Sequence, residues 1–224
     1  NRIPRTTVAG LLAAIGGADR GSYCDLFGAT SSAVAIRPES KLRTINIPTT
    51  GVGTDPDSAA AKKAGSSRSR AITYHDTTQD RQIHNYEVLV DPAYRLDIAV
   101  EDEEFYSDLH ARLEASTSVY PPSMGLSEYL ATVEYLGEFE PERLTEADGA
   151  VRSVVPTSLA DTIPQPGVSY RVERSPAIME QYGGGRRTTR FDDLVYTPDP
   201  TDSIQFESAD LQLVSVDGDT VIFR

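Results

Sequence analysis

The sequence contains very little cysteine and no tryptophan. Its 224 residues include a single cysteine, Cys24. A lone cysteine excludes a disulfide within the chain and any zinc site that needs several cysteines. No apolar run approaches the roughly 20 residues that a membrane-spanning helix requires. We therefore expect a cytoplasmic protein without a membrane partner, and we predict no metal site and no cofactor.

Lysine is scarce as well, although arginine is not. Only three of the 21 basic residues are lysines, Lys41, Lys62 and Lys63, and 34 acidic residues give a net charge of −13. An acidic, lysine-poor protein that keeps its arginines is typical of a halophile with a salt-rich cytoplasm, where dense salt screens the repulsion between carboxylates. An ordinary acidic protein is the alternative, and the lysine deficit favours the halophile.

The charge is distributed unevenly along the chain. Residues 41–84 carry seven basic and four acidic side chains, whereas residues 85–170 carry four basic and seventeen acidic ones. A basic stretch in an otherwise acidic protein indicates a polyanionic partner.

An apolar helix is predicted near the start, in the stretch PRTTVAGLLAAIGG (4–17). Because its middle is apolar on nearly every side, we expect it to be buried. Thr6 and Thr7 are candidate N-caps, and Gly16-Gly17 predicts a left-handed stop. Gly10, inside the helix, suggests that another backbone packs closely there.

Two arginines, Arg2 and Arg5, come just before this helix. The free N–H groups and the dipole of a helix start favour an anion, so the pair predicts a phosphate-binding helix start. The alternative is an ordinary capped core helix with two solvated arginines, and the residues alone favour it.

Several strands and a second long helix are predicted further along. Asp102 is expected to cap an acidic helix whose Phe105, Leu109 and Leu113 share one side. Residues 84–90 and 94–100 are expected in one antiparallel sheet, joined by a turn at Asp91-Pro92. The other segments with β-strand composition are 32–37, 41–47 and 129–136, and 22–27 is predicted as a short helix or turn.

Residues 48–80 differ from their surroundings. They are rich in Gly, Ser, Thr, Asp and Pro, and the four basic residues Lys62, Lys63, Arg68 and Arg70 lie in their middle. More than 30 residues without a structural pattern are uncommon inside a compact domain. We interpret them as a long arm that becomes ordered on a partner.

The last third of the chain is composed of short β-prone segments after a polar linker at 140–150. Asp217-Gly218, between two alternating apolar segments, predicts a tight hairpin. The run YGGGRRTTR (182–190) places three glycines beside Arg186, Arg187 and Arg190. Such a run could cradle phosphate, and a flexible hairpin tip is an equally good interpretation.

Taken in order, these segments resemble a known family. The opening PRTTVAGLLAAIGG, the strand pair HNYEVLVDPAYRLDIAV, the turn YPPSMGLSEYLA, the segment ERSPAIM and the closing hairpin are similar to the fifth CRISPR-associated (Cas) protein family of the RAMP superfamily, above all to haloarchaeal type I-B members. That family has a few dozen further residues before Pro4, with the first strand of its fold, so we expect that this sequence lacks them.

The resemblance implies an α+β fold with a ferredoxin-like (RRM-type) core in residues 1–140, a thumb-like inserted arm at 48–80, and a small β-rich region at 151–224. It implies a subunit of the Cascade surveillance complex that holds the 5′ handle of the CRISPR RNA. The expected partners are that RNA, the backbone and large subunits of the complex, and target DNA as a further candidate. We predict these RNA-binding residues: Arg2, Arg5, Lys41, Arg43, Lys62, Lys63, Arg68, Arg70, Arg81, His84, Arg186, Arg187 and Arg190.

Two alternative functions stay open. The type I-C branch of the family cuts precursor RNA with a tyrosine, a lysine and a histidine, and His75 and His84 flank the basic region here. No lysine adjoins either histidine, and the nearest basic neighbour of His84 is Arg81, a poor proton donor. We therefore predict no catalytic residue. The second alternative is a general RNA- or protein-binding scaffold unrelated to CRISPR.

Overall fold

The computed structural model describes residues 2–19, 21–52, 81–144, 150–159, 161–183, 185–207 and 213–224. It divides into two compact units. One comprises Asn1–Leu42 and Asp91–Arg224, and the other is Arg43–Val90. The domain boundaries expected from the sequence, with a core at 1–140 and a C-terminal region at 151–224, stay a prediction.

The larger unit contains three helices in its described part: α1 (Arg5–Gly16), α2 (Tyr23–Leu26) and α3 (Glu103–Glu114). Its strands are β1 (Ser32–Pro38), β4 (Tyr94–Val100), β5 (Glu142–Arg143), β6 (Val155–Pro156), β7 (Asp161–Ile163), β8 (Arg171–Tyr182), β9 (Gly185–Tyr196), β10 (Gln205–Glu207), β11 (Leu213–Val216) and β12 (Asp219–Ile222). The smaller unit contains β2 (Arg43–Val52) and β3 (Arg81–Val90). The strand pairs of the described residues are antiparallel, in agreement with an α+β fold.

Helix α1 is buried and ends as the sequence predicts. Gly17 adopts a left-handed conformation (φ 88°), and its N–H bonds to Ala13 O at 2.9 Å. The predicted threonine cap is wrong: Pro4 is the N-cap residue and no side chain caps the helix. The close approach expected at Gly10 is also wrong: among the described residues, no atom beyond the backbone of the helix itself lies within 4 Å of where its Cβ would be.

The close approach occurs one turn and a half later, at Gly16. A Cβ there would lie 2.5 Å from the Phe105 ring, so only glycine lets α3 pack this closely against α1. Phe105 also meets Phe27 edge to face, with ring centroids 5.8 Å apart. As predicted, Asp102 caps α3, accepting a hydrogen bond from Phe105 N at 2.8 Å.

The expected pairing of residues 84–90 with 94–100 is wrong. Strand β3 pairs with β2, and β4 pairs with β1, so the two segments belong to separate two-stranded sheets. Residues Asp91–Ala93 do not reverse the chain to form a hairpin, because they bond instead to the segment after β1. Glu39 N donates to Ala93 O at 2.8 Å, and Ser40 Oγ accepts from Ala93 N at 2.9 Å.

The strand predicted at 129–136 is also wrong. Ser123 and Leu130 form an isolated β-bridge, and residues 131–141 have no regular secondary structure. Side chains hold this segment instead: Glu138 accepts from the Tyr106 hydroxyl, and Arg95 lies 5.2 Å from the centre of the Phe139 ring.

The C-terminal strands pack with the N-terminal ones. Val34 and Arg224 exchange two backbone hydrogen bonds at 3.2 and 3.3 Å, and Val154 N donates to Ile36 O at 3.1 Å. Asp217-Gly218 forms the predicted hairpin turn, with φ of 53° and 81°. A main cluster of buried side chains consists of Val151, Val155, Val195, Ile204, Phe206, Leu213 and Ile222.

The ferredoxin-like core stays a prediction. In the described residues, β1 and β4 form a two-stranded sheet, whereas a ferredoxin-like domain has a single four-stranded one.

Candidate nucleic-acid interface

The glycine run predicted to cradle phosphate lies at the tip of the β8–β9 hairpin. Tyr182 pairs with Gly185 across the tip, and Gly183 has φ of 53°. A positive φ of this kind suits glycine because it has no Cβ to clash with the backbone. The structure therefore has the hairpin tip that was one of the two interpretations, and phosphate binding by this backbone stays a prediction.

Three arginines of this hairpin lie over aromatic rings. Arg187 is 4.6 Å from the centre of the Tyr182 ring, Arg186 is 5.2 Å from that of Tyr23, and Arg174 is 5.4 Å from that of Phe191. Tyr182 is 62 % exposed and Phe191 is 49 % exposed. Exposed rings next to guanidinium groups are the combination that binds single-stranded nucleic acid, since bases stack on the rings and phosphates pair with the cations.

The hairpin arginines also contact carboxylates on the same strands. Arg187 pairs with Glu180, with Nε 3.1 Å from Oε1, and Arg190 Nε lies 3.1 Å from Asp192 Oδ1. The Arg187 and Arg190 side chains are about half exposed, and ion pairs of that kind contribute roughly 0–1 kcal/mol. Exchange of these carboxylates for a phosphate therefore costs little.

A second candidate surface lies in the smaller unit, on one face of the β2–β3 hairpin. Opposite residues in an antiparallel pair share a face, so Arg43, Ile45, Ile47 and Thr49 of β2 share one with Val90, Val88, Tyr86 and His84 of β3. Ile45, Ile47 and Tyr86 are 52 %, 39 % and 50 % exposed. The rings of His84 and Tyr86 are 6.2 Å apart and tilted. This face combines one arginine and two rings with exposed aliphatic side chains.

The remaining predicted cations are dispersed. Lys41 is exposed and pairs with Asp199 at 3.1 Å. Arg81 begins β3. Four predicted residues lie outside the described part of the chain: Lys62, Lys63, Arg68 and Arg70.

Arg5 is buried, with 1 % of its surface exposed. Its guanidinium donates to the carbonyl oxygens of Phe27 (2.7 Å), Ala177 (3.3 Å), Gly28 (3.1 Å), Ser32 (3.2 Å) and Arg224 (3.0 Å), and to Ser32 Oγ (2.7 Å). Burial, and then repulsion from Arg190, lowers its pKa to about 10. Arg5 therefore links α1 to β1, to β8 and to the C-terminal residue.

Arg2 is 3 % exposed, and its Nη1 donates to Ile3 O at 2.9 Å. Both interpretations of the Arg2–Arg5 pair required exposed arginines at the helix start, either bound to phosphate or solvated. The structure corrects both in this respect, because the side chains of Arg2 and Arg5 are buried.

Sequence reasoning found the arginines of the β8–β9 hairpin and missed their rings. Tyr182, Phe191 and Arg174 were not singled out, and neither was Tyr23. Tyr182 directly precedes the glycine run, so its position was a usable signal. The contact between Arg186 and Tyr23 joins residues 163 positions apart, and no local pattern predicts it.

Within the described residues, no group of three His, Cys, Asp or Glu side chains is placed to hold a metal ion. None of the described helices has the length and apolar content needed to span a membrane.

Comparison with known proteins gave matches among solved structures. No family model matches the sequence, and no curated protein matches it. A solved structure titled "CRISPR RNA-guided surveillance complex" superposes with a TM-score of 0.46 and 14 % identity, covering 87 % of this chain and 78 % of the other. At these values the similarity establishes neither the fold nor the function of this chain.

Proposed function

We propose that this chain is a non-catalytic RNA-binding subunit of a type I CRISPR surveillance complex (Cascade), with a ferredoxin-like RAMP core, and that it holds the 5′ handle of the CRISPR RNA in the cytoplasm. The observation that carries RNA binding is the set of arginine–aromatic pairs on the exposed β8–β9 hairpin. The assignment to Cascade rests on the ordered set of sequence motifs that resemble the family.

The charge distribution supports a polyanionic partner. In a chain of net charge −13, the region 41–84 is basic, and the exposed face of β2–β3 adds rings and aliphatic side chains beside Arg43 and His84. A face of mixed character suits both bases and a neighbouring protein subunit. The other proposed partners are the backbone and large subunits of the complex and target DNA.

We also propose that the chain does not cut RNA. The sequence has three lysines, Lys41, Lys62 and Lys63, and none adjoins His84 or His75. General base catalysis by one histidine contributes about 10²–10⁴-fold, which is insufficient without a cation on the scissile phosphate. The alternative is a metal-independent ribonuclease with His84 as base and Arg81 as the cation.

The first experiment identifies the RNA. The tagged full-length protein is purified from its own host and the bound RNA is sequenced. We expect bound RNA of one size, with a common 5′ end derived from the repeat of a CRISPR array. We also expect other Cascade subunits to co-purify. A mixture of cellular RNAs without a common end would replace this proposal with the general scaffold.

A second experiment tests the β8–β9 surface. The double variant Arg186→Gln, Arg187→Gln should retain less RNA, and its salt dependence should decrease by about 1.4 in slope, since each single-strand phosphate contact contributes about 0.7. Tyr182→Leu, which keeps the charges, should weaken binding by about 1–3 kcal/mol if a base stacks there. Arg152→Gln is the control, because this arginine is 52 % exposed and lies outside the hairpin. Equal RNA retention in the double variant, in Tyr182→Leu and in the control would exclude the β8–β9 surface as an RNA-binding site.

A third experiment tests the arm. Alanine at Lys62, Lys63, Arg68 and Arg70 together should lower RNA retention without changing the thermal stability of the protein. Unchanged RNA content would remove residues 48–80 from the binding site.

Cleavage is tested with purified protein and repeat RNA, free of any processing nuclease. We expect intact RNA, and we expect His84→Ala to leave the level of mature RNA in cells unchanged. Cleavage at one site without metal, abolished by His84→Ala, would establish the nuclease alternative.

A further inference from the structure

Residues 119–140, which follow α3 in the larger unit, carry several exposed apolar side chains. Leu126, Leu130 and Leu136 are 53 %, 69 % and 54 % exposed, and Tyr120 is 55 % exposed. Single exposed apolar side chains are common on protein surfaces, whereas a concentration of them marks an interaction site. The concentration within these residues, called the acidic–apolar segment below, therefore indicates a surface that binds a partner.

The acidic–apolar segment is attached to two helices. Tyr120 N donates to Ala14 O at 2.9 Å, near the end of α1. The Tyr135 ring meets the His110 ring of α3 edge to face, with centroids 5.5 Å apart. A segment that is already held in place loses less conformational entropy when a partner binds to it. Its exposed leucines are therefore presented by a preorganised surface.

The backbone in the second half of the segment is unpaired. Residues 132–140 belong to no helix or strand, and they form no backbone–backbone hydrogen bond with another described residue. Backbone N–H and C=O groups without a partner in their own chain can pair with the backbone of another one, as they do at the edge of a sheet. The segment thus offers directional hydrogen bonds as well as apolar contacts.

The charge of the segment determines which class of partner fits. Residues 119–140 include four glutamates and no lysine, arginine or histidine. Glu134 and Glu140 are exposed and form no ion pair with another residue of the described ranges. These carboxylates repel a phosphate backbone and attract lysine or arginine. Carboxylates alone could simply hydrate the surface of an acidic protein, but exposed leucines among them do not serve hydration.

We propose that the acidic–apolar segment binds a segment of another protein that combines apolar side chains with lysine or arginine. The partner's apolar side chains cover the exposed leucines, and its cations pair with Glu134 and Glu140. Its backbone bonds to that of residues 132–140. This inference goes beyond the proposed function, because neither RNA binding nor membership of Cascade enters it.

The first experiment identifies the partner in the host. An apolar photo-crosslinking amino acid replaces Leu136 in the tagged full-length protein. In a control variant it replaces Leu159, which is exposed and lies outside the segment. We expect position 136 to crosslink to one segment of one other protein, rich in Lys or Arg, and position 159 not to crosslink to it. Crosslinks from position 136 to RNA, to a second copy of this chain or to no defined segment would overturn the proposal.

The second experiment measures binding of a synthetic peptide with the crosslinked sequence to the purified protein. Leu130→Ser and Leu136→Ser should each raise Kd by about tenfold or more, since each removes a leucine side chain that the partner buries. Both variants should keep the thermal midpoint of the parent protein, because these side chains are exposed without the partner. Leu159→Ser is the control and should bind like the parent. Equal affinity in all three variants would overturn the proposal.

The third experiment tests the charges. The double variant Glu134→Gln, Glu140→Gln should bind the same peptide about three- to tenfold more weakly, and its association rate should depend less on salt. Asp161→Asn, an exposed carboxylate elsewhere, should behave like the parent protein. Unchanged affinity and salt dependence in the double variant would overturn the charge complementarity on which the choice of a basic partner rests.

Discussion

The two long hairpins of this protein show how different one kind of secondary structure can be within one chain. At the base of β8–β9, Ser175, Ala177, Leu194, Val195 and Tyr196 are buried. The β2–β3 hairpin has no buried side chain among those described, and Ile45, Ile47, Ile83 and Tyr86 are exposed. An isolated two-stranded hairpin is marginally stable in water. We therefore expect β8–β9 to gain its stability from the core and β2–β3 to be stabilised by a partner.

Amide hydrogen exchange should show the largest difference between the hairpins. The amides of β9 near Leu194 open only when the protein unfolds, which costs about 5 kcal/mol or more, whereas those of β2–β3 open locally. We expect β2–β3 amides to exchange at least about a thousandfold faster in the free protein. Equal protection in the two hairpins would contradict the comparison, and slower exchange of β2–β3 on RNA or subunit binding would identify its partner.

Substitution of Arg5 should remove the connection between β8 and the N-terminal elements. Arg5→Met leaves the carbonyls of Phe27, Ala177 and Ser32 buried without their donor, and we expect a loss of about 3–5 kcal/mol in the free energy of unfolding. Arg174→Met is the control, since that arginine is exposed and lies over Phe191 on the same hairpin. Denaturant unfolding of both variants measures the difference. Similar losses would mean that the Arg5 contacts contribute little.

Truncation of an apolar side chain should destabilise the protein much more in β8–β9 than in β2–β3. Leu194, on β9, is completely buried, so Leu194→Ala should cost about 2–5 kcal/mol through lost burial and the cavity left behind. Ile47→Ala on β2 should change stability by no more than about 0.5 kcal/mol, because that side chain already contacts water. Urea unfolding curves of the two variants test this, and a large loss for Ile47→Ala would show that the β2–β3 face is covered in the free protein.

The smallest effect is expected at the β8–β9 tip. Gly183→Ala introduces a Cβ at a φ of 53° and should cost about 1 kcal/mol. At Gly185, two residues later, φ lies outside the strained positive range, and, apart from its chain neighbours, Tyr182 O is the one atom of the described residues near the Cβ position, at 3.6 Å. Gly185→Ala should therefore cost close to zero. Thermal unfolding midpoints of the two variants measure the difference in stability. A lower midpoint for Gly185→Ala than for Gly183→Ala would contradict the prediction.

The sequence correctly predicted several structural features that depend on residues close together in the chain. The burial of α1 follows from its apolar pattern, Asp102 caps α3 through its own side chain, and Asp217-Gly218 turns the chain because both residues tolerate positive φ. In the candidate interface, the exposed arginines of the glycine run were found in the same way. These features depend on contacts within a few residues, so the local sequence contains the information.

The failures in strand pairing depend on long-range contacts. The partner of β3 was misjudged because turn composition at Asp91-Pro92 does not reveal that Glu39 and Ser40 bond to Ala93. The segment 129–136 has β-strand composition, yet no described strand pairs along it. The side chains just after it, Glu138 and Phe139, contact Tyr106 and Arg95.

The sequence by itself determined the acidic charge, the helices, the final turn and the arginine-rich hairpin tip, since each follows from composition or from residues close in the chain. Only the tertiary structure decided what the arginines do. Arg5 and Arg186 look alike in the sequence, each beside helix-start or glycine signals for phosphate. Arg5 is buried because carbonyls of β1, β8 and the C-terminal residue converge on it, and Arg186 is exposed over Tyr23. That difference arises from contacts between distant parts of the chain.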